Sequence, residues 1–210
     1  MDKVDDIIII IGKGRNSNTY IINDTIIDPG SDDNIEYIKE EVSQAGLEMT
    51  DIKKIVNTHC HFDHMGADKQ LQDEYGYEIY MHPLDLKTVE EKDGQATVAA
   101  SFGLEVPDLE IRELNEGDKI GNYEVIHTPG HTRGGICLFD GKSIITGDTL
   151  FSGGNFGRTD LPTGNLEEMK KSIHKISELD AVQLFPGHGP YAITRVSEQI
   201  SFALMIASRL

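Results

Sequence analysis

Apolar residues in this chain come in short runs broken by polar turns, and the spacing within each run predicts the element. Ile7–Ile11 is apolar throughout, as expected of a buried strand. Asn18–Ile22 and Thr25–Ile27 flank Asn23-Asp24 and form a strand–turn–strand pair. After Asp28-Pro29-Gly30, Ser31 and Asp32 offer caps to a helix with Ile35, Ile38, Val42 and Ala45 on one face and Gly46 at its end. Ile52–Asn57 reads as a strand, Ala67–Tyr75 as a helix, Glu78–Met81 as a strand and Leu84–Glu91 as a helix. Residues 92–108 lack a clear period and are expected to form a mobile loop or a short helix. Four strands follow at Leu109–Leu114, Tyr123–Ile126, Ile136–Phe139 and Ser143–Ile145. Asn165 caps a helix with Leu166, Met169, Ile173 and Ile176 on its apolar face. Val182–Phe185 is the last strand, and Val196, Ile200 and Leu204 mark a closing helix.

Strands and helices in mixed order call for layers, with sheet faces covered by helices. Two sheets packed on each other with helices outside would suit this order. At 210 residues the chain is long enough for a single domain, residues 1–210, with a sizeable core. It has no run near the roughly 20 apolar residues of a spanning helix. The N-terminus shows no basic segment followed by an apolar stretch and cleavage site, so the expected location is cytoplasmic.

Charge narrows the partners. Nineteen Lys and Arg against 36 Asp and Glu leave a net charge of −17, which repels phosphate backbones and disfavours nucleic acid. The two cysteines, Cys60 and Cys137, imply no disulfide framework and fit small buried side chains.

The candidate chemistry lies in the turns. His59-Cys60-His61-Phe62-Asp63-His64 places four metal-capable side chains, besides Cys60, within six residues. His131, Asp148 and His188 each follow an apolar run, beside a glycine. His59 and His61 can project together from an extended end, and Asp63 and His64 can aim at a neighbouring site after a turn. Neutral imidazole with carboxylate suits Zn, Fe or Mn, and there is no thiolate set for a closed structural zinc site. His82, His127 and His174 lack such company and are expected to be surface or structural residues.

His59-x-His61-x-Asp63-His64 with His131, Asp148 and His188 in this order resembles the metallo-β-lactamase superfamily. The likeness runs from Asp28 to His188. It implies an α/β fold, the four-layer αβ/βα sandwich, with the metals at one edge. It implies two divalent ions, Zn before Fe or Mn. His59, His61 and His131 would hold one, Asp63, His64 and His188 the other, and Asp148 would bridge them. Asp63 and Asp148 would carry catalysis as well as coordination, and Asp28 would orient a ligand His. Thr58–His64, His127–Thr132 and Gly147–Phe151 are most similar to glyoxalase II-like hydrolases. Phe156–Asp160 stands where those enzymes have a Gly-Lys-aromatic segment, and Arg158 could replace the Lys as an anion anchor. The chain ends about one helix after His188, without that family's helical extension.

The expected activity is thioester hydrolysis. Two ions sharing a water lower its pKa toward neutrality, and the resulting hydroxide attacks the carbonyl of a small anionic S-2-hydroxyacyl thioester. A mononuclear iron persulfide dioxygenase is the alternative, since that branch shares a Gly-Arg-Thr-Asp segment, here Gly157–Asp160. A lactonase and a non-catalytic metal-binding module are further readings. The lactamases usually lack a His at the position of His64.

Overall fold

The computed structural model describes residues 1–210. Twelve strands form two sheets. The first has seven strands in sequence order, β1 (Asp2–Val4), β2 (Ile7–Ile10), β3 (Thr19–Ile22), β4 (Thr25–Ile27), β5 (Lys54–Val56), β6 (Glu78–Met81) and β7 (Ile111–Glu113). The second runs β12 (Gln183–Pro186), β11 (Ser143–Gly147), β10 (Ile136–Phe139), β9 (Tyr123–His127), β8 (Lys119–Ile120). Pairing is antiparallel through β1–β4 and parallel from β4 to β7. In the second sheet only β11 and β12 are parallel.

Parallel neighbours need a crossover, and helices supply it. α1 (Ile35–Gln44) joins β4 to β5, and α2 (Phe62–Met65) with α3 (Asp68–Tyr75) joins β5 to β6. α4 (Pro83–Glu90) and α5 (Ala99–Phe102) lie between β6 and β7, α6 (Leu166–Ser177) between β11 and β12, and α7 (Val196–Ala207) follows β12.

The period-2 alternation of the strands sorts the core. Ile7 and Ile9 pack with Val125, Ile136, Leu138, Ile145 and Phe185 between the sheets. Ile8 and Ile10 face the other way, onto Ile35, Ile38 and Val42 of α1 and Leu71 of α3. On the far side Cys137, Ile144 and Leu184 meet Met169, Ile173 and Ile176 of α6 and Ile200 and Ala203 of α7. The result is the four-layer αβ/βα sandwich expected from the sequence. No helix is long and apolar enough to cross a membrane.

Several boundaries differ from expectation. β1 carries no apolar pattern because it is an edge strand, exposed along most of its length, and it pairs with β2 across a turn in which Asp5 has φ +52°. Ile11 falls outside β2 and is 39% exposed. Ser31 makes no cap. Its hydroxyl instead meets Asn16 and Asp33, and Asp32–Asn34 forms a 3-10 turn before α1. Residues 92–108 contain the short helix α5. Asn165 caps α6 as expected, accepting from Glu168 N at 3.0 Å.

Candidate metal centre

The parallel pairs β4/β5 and β11/β12 bring four strand ends to one edge. Asp28 follows β4, and His59 lies three residues past β5. Asp148 follows β11 and His188 lies two residues past β12. His131 lies beyond the end of β9, and α2, a single helical turn, presents Asp63 and His64. Ligand candidates therefore come from both sheets.

All seven meet. The ligand-type atoms of His59, His61 and His131 lie within 4.8 Å of one another, as do those of Asp63, His64 and His188. His59, His64 and Asp148 form a third such group between them. Asp148 faces both sides, with Oδ2 3.4 Å from His131 Nε2 and Oδ1 3.4 Å from His64 Nε2.

Hydrogen bonds set the tautomers. His64 Nδ1 lies 2.8 Å from Asp28 Oδ2, an acceptor, so Nδ1 donates. Thr58 commits its hydroxyl proton to the same oxygen at 2.6 Å. Its oxygen is then free to accept from His59 Nδ1 at 3.1 Å. His131 Nδ1 donates to the Arg158 carbonyl at 2.7 Å. In each ring the Nε2 lone pair is left for another partner. His59, His61 and His131 each bury an Nε2 with no hydrogen-bond partner, and Asp148 does the same with Oδ1. Nε2 atoms of His64 and His188 face each other at 3.3 Å. Buried polar atoms are rarely left unpaired. Such a set of converging lone pairs and carboxylates fits divalent cations.

Electrostatics divide the rings, favouring the neutral form of His59 and His61 and the charged form of His64 where no metal is bound. Burial and then the neighbouring imidazoles hold His59 well below its ordinary pKa, and burial and His131 push His61 down to about 3. Burial also opposes charge on His64, but Asp28 and Asp148 outweigh it and lift the group well above its ordinary value. Burial disfavours the Asp148 anion, yet His64, His131 and His188 hold it far below the usual carboxylate range. Backbone closes in as well. A Cβ on Gly187 would stand 2.3 Å from Asp148 Oδ1 and 2.7 Å from His64 Cε1, so only glycine fits there.

Asp28 is buried and accepts from Thr58 N at 2.7 Å as well as from His64 Nδ1, which fixes the orientation of the His64 ring. It sits at φ +52°, a conformation that Asp tolerates better than most residues. Thr58 and the Arg158 carbonyl were not expected from the sequence. The Arg158 side chain is exposed and pairs with Asp160 at 2.8 Å. Cys60 is buried away from the cluster among Phe62, Met65 and Met81. The remaining histidines stay outside. His82 stacks on His127 at 4.0 Å, His127 Nε2 donates to the Arg133 carbonyl at 2.9 Å, and His174 is exposed.

An αβ/βα sandwich with a His/Asp cluster at one edge defines a class of metal-dependent hydrolases. The family model for the metallo-beta-lactamase superfamily matches residues 12–188, and the chain belongs to that superfamily. A probable metallo-hydrolase of Methanocaldococcus jannaschii is 37% identical over 189 residues, 85% of this chain and 90% of that protein. The hydroxyacylglutathione hydrolase GloC of Haemophilus influenzae is 36% identical over 181 residues, 80% of this chain and 81% of that one. The crystal structure of TTHA1623 in a di-iron-bound form superposes with a TM-score of 0.77 at 31% identity, covering 91% of this chain and 96% of that one.

Two outcomes follow from these contacts. Replacing Asp28 by Ala frees the His64 ring and the Thr58 hydroxyl, and metal affinity measured by chelator competition should fall about 10- to 100-fold. The second concerns His82, whose pKa is lowered to about 4 by burial and by His127. A free His titrates near about 6.5, so protons bind the unfolded chain first between those values. His82 should therefore make wild-type stability drop as pH falls from about 6.5 toward 4, and His82→Asn should remove that drop. In urea unfolding the wild type should lose ground to the variant by roughly 1 kcal/mol per pH unit, the limit being about 1.4.

Proposed function

We propose that this chain is a dinuclear metal-dependent hydrolase of a small anionic S-2-hydroxyacyl thioester. The observation that carries the reading is the placement of Asp148 between two three-residue ligand groups, with Oδ1 3.4 Å from His64 and Oδ2 3.4 Å from His131 and 3.8 Å from His188. His59, His61 and His131 hold one ion, Asp63, His64 and His188 the other, and Asp148 spans them. Divalent ions so held lower the pKa of water toward neutrality and polarise a carbonyl oxygen. Zn is the first choice of occupant. Iron is the second, by likeness to the di-iron form of TTHA1623.

The chain's own residues favour hydrolysis without a covalent step. Burial pushes the Cys137 thiol up to about 11 and the Cys60 thiol well above its ordinary value, so neither is a ready nucleophile. A thiolate leaving group, with a pKa of about 8.5, departs without strong acid help, so no dedicated general acid is required. Asp63 and Asp148 bring fewer negative charges than two dications bring positive ones, which leaves the centre attractive to an anion. Arg158, exposed on the segment whose carbonyl holds His131, is the proposed anchor for a substrate carboxylate once it leaves Asp160. The thioester itself is suggested by likeness to the Haemophilus influenzae hydroxyacylglutathione hydrolase.

Purified protein should hold two metal ions per chain and release thiol from S-D-lactoylglutathione. Chelation should abolish release and added Zn should restore it. Metal-loaded protein that releases no thiol would overturn the thioesterase reading. A single iron with oxygen uptake on glutathione persulfide would replace it with the dioxygenase that the Gly157–Asp160 segment resembles.

A further inference from the structure

The first turn of α4 carries a carboxylate that belongs to neither ligand group. Asp85 is fully buried, and no Lys or Arg pairs with it. Its Oδ2 accepts from Cys60 N at 3.0 Å and from the Thr132 hydroxyl at 2.7 Å, and its Oδ1 accepts from Gly134 N at 2.6 Å. Cys60 lies between His59 and His61 in the chain, and Thr132 follows His131. One side chain thus ties together the two backbone segments that present three ligands. The fit is close, since a Cβ on Gly134 would stand 2.6 Å from the Asp85 backbone nitrogen.

Burying a carboxylate with no cation is costly, and three donors are needed to offset it. An apolar residue in the same space would leave those three donors buried and unpaired, so the acid serves to hold them and not merely to fill the space. The contacts are also selective. None of the donors to Asp85 lies on the segments bearing Asp148 or His188, and the Asp63–His64 turn makes no bond to it. Asp28 divides the work with it, orienting rings through His64 and Thr58 while Asp85 holds backbone.

We infer that Asp85 is a positioning residue for one half of the centre, setting the spacing of His59 and His61 relative to His131. This rests on reading the cluster as two adjacent ion sites. A ligand set must be held within about 0.5 Å to bind well, and the Asp85 bridge acts beside the Ile136 N to Thr58 O bond, 2.9 Å long, to hold the two segments to that tolerance. The His61 and His131 rings, 4.5 Å apart, are carried by the two segments that Asp85 joins.

The test uses full-length protein stripped of metal and titrated with Zn alone against a chromophoric chelator. Asp85→Asn is placed in two backgrounds. His188→Ala leaves the His59/His61/His131 group intact, and His61→Ala leaves the other group. Asp85→Asn should weaken Zn binding about 10- to 100-fold in the first background and change it less than about threefold in the second. Far-UV circular dichroism and thermal unfolding of the metal-free proteins verify that the fold persists. Thr132→Val, which removes one donor while keeping shape, provides the same comparison if Asp85→Asn does not fold, with a smaller loss of the same selectivity. Equal losses in both backgrounds, or none in either, would overturn the inference. A wild-type protein that takes up only one ion would defeat the dinuclear reading, yet the His188→Ala comparison would still decide the role of Asp85.

Discussion

Lone pairs that face one another in a dry interior must find something positive between them. That constraint organises this protein. His59, His61 and His131 are buried, and their Nε2 atoms converge with Asp148 on a small volume. Those three nitrogens and one Asp148 oxygen lack a hydrogen-bond partner among the protein's own groups. Cations satisfy all of them at once, whereas protons could satisfy only some because neighbouring imidazoles repel each other's charge. Holding such a frustrated set together requires rigid supports, and the two sheets provide them. Four strand ends aim loops at one edge, and the core between Ile7, Ile9, Val125, Leu138 and Phe185 keeps those ends in register.

Around the cluster, each support acts on a different degree of freedom. Asp28 and Thr58 decide which nitrogen of His64 and His59 carries the proton. The Arg158 carbonyl does so for His131. The bare backbone at Gly187 lets the last loop come within contact of Asp148. Metal affinity in such a centre is distributed among side chains that never touch the ion.

Much of this was legible in the sequence, and the reasons are physical. The unbroken apolar run Ile7–Ile10 and the helical period of Ile35, Ile38 and Val42 report burial directly, so the layers could be anticipated. The ligand residues were legible because few side chains bind metals and their spacing is restrictive. What escaped carries no such signal. β1 and β8 are short edge strands with little apolar content, and they exist because a neighbour offers hydrogen bonds. The support for His131 comes from a carbonyl that any residue at 158 could supply, while the Arg158 side chain, the visible feature, points to Asp160. Thr58 and Asp85 are ordinary polar residues until the fold brings partners to them from 25 or more positions away, the Asp28 carboxylate to Thr58 and Cys60 N to Asp85.

The origin of the ligands in both sheets has a consequence for how the molecule comes together. His59, His61 and His64 belong to the first half of the chain and His131, Asp148 and His188 to the second. Neither half can assemble either candidate ligand group alone, because each three-residue group draws on both. A metal held there would therefore sense assembly of the whole sandwich, and by mass action it would stabilise only the state in which both sheets have docked. Closing contacts across more than a hundred residues is slow, since loop entropy is lost before those contacts form. Ions arriving last would act as a latch on a nearly finished fold, raising the barrier to opening more than they hasten closure.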